Sequence, residues 1–286
     1  MGGTYRRTAD TQPRKGCKDI WNAYMVKGAV FSCNDIPFCP TTAEALPEKL
    51  ITWREAKYIY KHAPKSEKNR SLYNAFVCFY EDDQYFDGVN GIWHNPQHAR
   101  KVLKCFAGAV TPDFSTYQDF PEPIKIYHTY CMRALGRWWG KNGIPVYNNV
   151  RWGTPETYRY CFDGIPRNDT VVIGTVGGSP RKLIDRERFE TGLTEMVKRI
   201  SPHTILVYGS ANYSCFARLK DQGIKVIDYR SKTDQAYKSL KESLTGGKYG
   251  ESLRNVLQRD RHDAESRDMH RGRTGKKSGC QRGRAV

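Results

Sequence analysis

The chain has 286 residues, 38% of them hydrophobic and 12% aromatic, and a formal net charge of +17. That composition excludes a wholly disordered chain. No run approaches 18 apolar residues, so no membrane span is expected. Six of the positive charges (Arg271, Arg273, Lys276, Lys277, Arg282, Arg284) stand in the last 16 residues without an acid, which leaves +11 on the rest. A basic excess spread over body and tail points to a polyanionic partner, a nucleic acid or a nucleotide.

The polar N-terminus, MGGTYRRTADTQPRKGCKD, lacks the apolar core of a secretory signal. A cytoplasmic location is therefore expected. The nine cysteines are odd in number and scattered, and no C-x-x-C occurs. They read as reduced thiols packed as small hydrophobes. Paired spacing for a zinc site is missing, so no metal ligands are assigned from them.

In chain order, residues 1–45 read as an irregular arm, laid over a domain or mobile. Residues 50–53 suit a first short strand and 54–62 a short helix. Residues 75–80 (AFVCFY) suit a buried strand that runs into Glu81-Asp82-Asp83. Asn95-Pro96 is a helix start, Asn as cap and Pro at the first helical position. That helix is expected to run to about Phe106 and to stop at Gly108, with Ala109-Val110 opening a strand. The longest helix spans 123–142. Ile124, Tyr127, His128, Cys131, Leu135, Trp138 and Trp139 form its apolar stripe, with Arg133 and Arg137 one turn apart and away from it.

Residues 144–150 are the next strand. A short helix follows at 154–162, then a turn at 163–166. Strands at 170–173, 204–207 and 225–228 alternate with helices at 185–200 and 211–222. Strand and helix thus alternate six or seven times, which implies a largely parallel sheet with helical crossovers. An incomplete TIM-like barrel is slightly favoured over an open doubly wound sheet, because the strands are short and evenly spaced. Residues 46–230 form this core, 231–258 two further helices, and 259–286 a basic tail poor enough in apolar residues to be disordered. The RGR triplets of the tail suit contact with nucleic acid.

PDFSTYQDFP, the Arg133–Arg137 helix, NNVRWG, YCFDGIP, the strand ending GTVG and the strand ILVYG occur in one order. Together they resemble the bacterial and phage family called domain of unknown function 4417, over about residues 46–228. The resemblance implies a phage or mobile-element setting and no particular reaction.

Both sheet arrangements put functional groups just past the strands' carboxyl ends. Asp113 in PDFS is a candidate for proton transfer, metal contact or a sugar hydroxyl, or it caps the next turn. Asp82 or Asp83 would supply a second carboxylate. At most one of these neighbours faces the site, because adjacent extended residues point opposite ways. Paired carboxylates would admit a divalent metal on phosphates. Arg151 is the best anion ligand by its planar fork, or it stacks on Trp152 or braces Asp113.

Asn149, Thr175 and Tyr208 would line the rim, and Arg133 and Arg137 are candidate substrate ligands or inter-element braces. GTVGGSP lacks the Lys-Ser/Thr pair of a P-loop and reads as a βα loop. Two functions follow as expectations: an enzyme acting on a nucleotide or nucleic acid, or a non-catalytic nucleic-acid-binding module. In the first, loss of the Asp113 carboxylate abolishes an activity and leaves the melting temperature nearly intact.

Overall fold

A computed structural model of the chain describes residues 15–231 apart from 69, 70, 72 and 177–182, together with residue 13 and the strand Arg6–Arg7. The helices expected within 231–258 and the tail cations Arg271, Arg273, Lys276, Lys277, Arg282 and Arg284 lie outside the described residues, as does the GGSP stretch after Val176.

A small antiparallel ladder joins β1 (Arg6–Arg7) to β2 (Val30–Phe31). The main sheet has seven strands: β3 (Leu50–Thr52), β4 (Tyr73–Cys78), β5 (Phe106–Val110), β6 (Val146–Asn149), β7 (Thr170–Gly174), β8 (Thr204–Tyr208) and β9 (Lys225–Tyr229). Every neighbouring pair is parallel, and spatial order equals chain order. Five helices accompany it: α1 (Trp53–His62), α2 (Pro96–Leu103), α3 (Glu122–Lys141), α4 (Leu183–Ile200) and α5 (Ser214–Asp221).

Sequential order with crossovers of one hand puts the helices on one face, so the sheet must curl. Laid flat, β3 and β9 would stand about 29 Å apart, six intervals of about 4.8 Å. Yet Tyr229 on β9 donates its hydroxyl to Pro47 O, just before β3, at 2.7 Å. The sheet is a half-barrel, the incomplete barrel favoured from the strand spacing.

The strands alternate accordingly. Phe76, Cys78, Tyr80, Tyr147, Val172, Leu206 and Tyr208 point into the concave side, where no helical residue joins the cluster. Ala75, Val77, Phe79, Val146, Val171, Ile173, Ile205 and Val207 point outward under the helices. Period-two patterning on both faces explains why these strands read as continuous apolar runs.

Local chemistry sets three boundaries differently from the sequence reading. β3 ends at Thr52, not at Trp53. Thr52 and Glu55 form a reciprocal capping box, with Glu55 Oε2 accepting from Thr52 N at 2.8 Å, so Trp53 is the first helical residue. α2 ends at Leu103, and Phe106 begins β5. Gly108 is no helix stop. It sits inside β5 because a Cβ there would lie 2.5 Å from the Phe76 ring. Along α3, Ile124 is solvent-exposed, while nearly every residue from Thr129 to Trp139 is buried on all sides.

The segment at residues 20–45 lies over α3 and supplies Met25, Val26, Ala29, Phe31 and Ile36 to the core. Gly136 lets α3 lie close against the chain just past β5 and the N-terminal segment: a Cβ there would meet Thr111 Cγ2 at 2.3 Å and Cys39 Sγ at 2.7 Å.

Candidate functional site

At the carboxyl ends of β4 to β7 a cleft of about 400 Å³ opens. Its walls include Asp82, Asp113, Tyr117, Arg151, Trp152 and Arg188. At its centre Arg151 Nη1 donates to Asp113 Oδ2 at 2.5 Å. Asp113 follows β5 by three residues and Arg151 follows β6 by two, so parallel neighbours in register bring them together.

The aspartate is held from two further sides. Asn149 Nδ2 donates to Asp113 Oδ1 at 2.8 Å and to Pro112 O at 3.2 Å. Tyr80 donates its hydroxyl to Asn149 Oδ1 at 2.8 Å, which fixes the amide so that its NH₂ faces Asp113. Arg151 Nε donates to Thr116 Oγ1 at 3.3 Å.

Asp113 and Arg151 keep 13% and 28% of their side-chain surface. Burial pushes the Asp113 carboxyl above its ordinary range, against the pull of Arg151 and Asn149. Burial pulls the Arg151 guanidinium down, but Asp113 and Asp83 more than offset it and the net shift is upward. Burial also holds the Tyr80 phenol well above its usual value, so it remains a donor.

This geometry changes the expected consequence of removing Asp113. Its carboxylate is the acceptor for Arg151 and one of two for Asn149, so deletion strands a partly buried cation and loses stability along with any activity.

The two neighbouring carboxylates diverge. Asp82 lines the cleft and makes no side-chain hydrogen bond among the described residues. Asp83 turns away to accept from Ser115 N at 3.0 Å and Ser115 Oγ at 2.9 Å, bracing the loop that carries Asp113. Among the described residues no group of three or more His, Cys, Asp or Glu is arranged to hold a metal ion.

The other candidates serve the scaffold. Tyr208 stacks on Tyr80 with ring centroids 5.2 Å apart, behind the cleft. Gly174 permits this, because a Cβ there would lie 2.6 Å from the Tyr80 ring. Thr175 is buried and donates to Ser210 O at 3.0 Å, tying the β7 and β8 loops. Arg133 is 0% exposed and does not line the cleft. It donates to Asn149 O at 3.0 Å, Asp163 O at 3.1 Å and Cys161 O at 3.3 Å, and so pins the end of β6 to the following turn. Arg137 reaches Gly28 O at 2.9 Å and Phe38 O at 3.3 Å, holding the N-terminal segment on α3.

Among the cleft residues missed in the sequence are Tyr117, Asp185 and Arg188. Tyr117 is 56% exposed on the β5 loop. Asp185 and Arg188 project from the first turns of α4. Arg188 is exposed and makes no ion pair or hydrogen bond among the described residues. The available signal was position: each lies in the loop or first helical turns after a strand. Trp152 also lines the cleft, packed on Phe189 at a centroid distance of 5.3 Å, and Gly192 makes room for its ring.

Among the described residues no helix is long and apolar enough to cross a membrane. The chain is 32% identical over 214 residues to the Gene 1 protein of Mycobacterium phage D29, covering 74% of this chain and 73% of that protein. It is 31% identical over 213 residues to the Gene 1 protein of Mycobacterium phage L5, covering 74% of this chain and 86% of that protein. No solved structure matches it. The family model Domain of unknown function (DUF4417) matches residues 30–230, a span that takes in the whole half-barrel and the Asp113–Arg151 cleft, and the chain belongs to that family.

Proposed function

We propose that this chain acts on a nucleotide or a nucleic acid at the cleft between Asp113 and Arg151, in the cytoplasm of a bacterial host. The observation that carries the reading is the meeting of these two side chains on the wall of an open cleft at the strands' carboxyl ends. Ligands of α/β sheets favour that end.

Each group has a use. Arg151 directs Nη1 to Asp113 and Nε to Thr116, while its Nη2 has no acceptor among the described residues and is available to a phosphate oxygen. Arg188 adds a second cation at the rim. Trp152 and Tyr117 offer ring faces for a base. Asp113 is placed to accept a hydroxyl or a proton from the ligand, and Asn149 and Tyr80 hold it for that task.

The test is equilibrium binding of mononucleotides and short single strands to the full chain and to Arg151→Gln, at 0.2 M salt to suppress diffuse attraction. The reading expects at least one of these ligands to bind, and the substitution to weaken it about tenfold, the usual worth of one charged hydrogen bond. Binding that the substitution leaves unchanged, or none at all, defeats the reading. A second reading, nucleic-acid binding without catalysis, is favoured by the net charge of +17. It separates from the first if the ligand is recovered chemically intact after prolonged incubation.

A further inference from the structure

The positive charge of the body is unevenly placed. Residues 57–68 and 97–104, on and beside α1 and α2, hold seven lysines and arginines and one glutamate. Residues 183–200, which contain α4, hold four of each sign. There the charges neutralise one another: Arg199 meets Glu195 at 2.6 Å, and Arg218 on α5 meets Glu190 at 2.7 Å. On α1 and α2 the lysines have no such partners. Lys61, Lys65, Lys68, Lys101 and Lys104 make no ion pair among the described residues.

The two helices that carry or adjoin these cations pack against each other. Tyr60 on α1 contacts His98 on α2, centroid to centroid at 6.2 Å, and Lys68 Nζ lies 4.7 Å above the Tyr60 ring. Tyr58, 67% exposed, stands on the same helix beside His62. Cations in a helix's last turn also offset its dipole. That accounts for Lys61 and Lys101, but Lys65 and Lys68 lie past the end of α1.

We propose that this face of α1 and α2 holds the sugar–phosphate backbone of a nucleic acid. Unpaired lysines attract phosphates without reading sequence, and an exposed tyrosine among them adds a ring for contact with sugar or base. The face lies on the helical side of the sheet and takes no part in lining the cleft, so it would hold the polymer while the cleft engages one unit of it. The proposal rests on the nucleic-acid part of the proposed function.

The test uses the full chain, a 30-base-pair duplex DNA of arbitrary sequence (about three helical turns) and fluorescence anisotropy across a series of potassium chloride concentrations. Lys61→Gln/Lys65→Gln/Lys101→Gln is compared with Lys198→Gln/Lys220→Gln/Lys225→Gln, which removes equal charge from α4, α5 and β9. All six residues are exposed.

The first triple variant should make the slope of log affinity against log salt shallower by about 2–3, close to one per lost contact. The second should change it by less than about 1. Equal effects of the two variants, or none from either, overturn the assignment of the face and leave the cleft reading standing. A polyglutamate chain that binds as tightly as DNA, with the same response to the first variant, overturns it in favour of an acidic protein partner. Failure of the unaltered chain to bind DNA at low salt removes the nucleic-acid reading as well.

Discussion

Replacing Asp113 by alanine removes the acceptor of Arg151 Nη1 and leaves Asn149 Nδ2 with Pro112 O alone. The pair is mostly buried, so the remaining cation cannot recover full hydration. Losing a charge-assisted hydrogen bond and leaving its partner stranded gives a loss of about 2–3 kcal/mol. Burial pushes the Asp113 carboxyl up despite Arg151, which means desolvation outweighs the attraction. Both partners lose hydration on burial, so the ion pair fixes orientation as well as contributing attraction. Its replacement as a unit should be less harmful than the two single removals summed.

Arg151→Met alone strands the carboxylate and costs about 2 kcal/mol. Asp113→Ala/Arg151→Met should then lose less than the sum of the two, with a coupling energy of about 1–2 kcal/mol. Urea unfolding of the four proteins measures it, with stability taken from the midpoint and a slope common to all. A coupling below about 0.3 kcal/mol is ordinary additivity and would mean that the two groups do not meet in solution.

Gly192→Ala should displace the Trp152 ring, since the new Cβ would fall 2.1 Å from it. The expected signature is a loss of about 1–3 kcal/mol in urea unfolding, together with altered ligand affinity, because the displaced ring lines the cleft. The raised carboxyl of Asp113 gives a pH dependence of known sign. The native state binds its proton more readily than the unfolded state, so this group's favourable contribution is fully present below the ordinary aspartate value. It is lost as pH rises through the raised folded value. Urea midpoints of the unaltered chain, measured upward from about pH 3.5, should therefore fall relative to those of Asp113→Asn. A difference constant with pH would contradict the assignment. Burial pushes the Cys39 and Cys161 thiols up to about 12, and Cys17 and Cys33 are exposed. A thiol reagent at neutral pH should label Cys17 and Cys33 in the native protein and reach Cys39 and Cys161 only after unfolding, as read by peptide mapping.

Much of this was legible because strand ends announce themselves. AFVCFY, the valines of TVVI and ILVYG are apolar on both faces, and the polar residues just past such runs gather toward the rim. That logic found Asp113 and Arg151, whose chemistry depends only on neighbouring parallel strands ending together. It could not separate Asp82 from Asp83, because which carboxylate faces the cleft is set by a 3₁₀ turn at Asp83–Tyr85 and by Ser115, a residue 32 positions on. Arg133 was read as a substrate ligand or an inter-element brace; it bridges elements, and its burial was hidden for a related reason. Helical periodicity assigns the face opposite an apolar stripe to water, but here the chain after β6 covers that face, and its backbone carbonyls at Cys161 and Asp163 take the guanidinium. Gly108 and Gly174 look like punctuation in the sequence. Both are gaps left for an aromatic ring from another strand, a relation visible only when the sheet is assembled.

The central claim is that one nucleotide unit sits between the β5 and β6 loops. It is tested most directly by photocrosslinking a short strand that carries 4-thiouracil to the full chain, followed by mass-spectrometric mapping. The account predicts modified peptides from residues 113–118 and 150–154, with Tyr117 or Trp152 carrying the base, and their loss in competition with unlabelled strand. Crosslinks that survive competition, or that fall only outside these two loops, would contradict it.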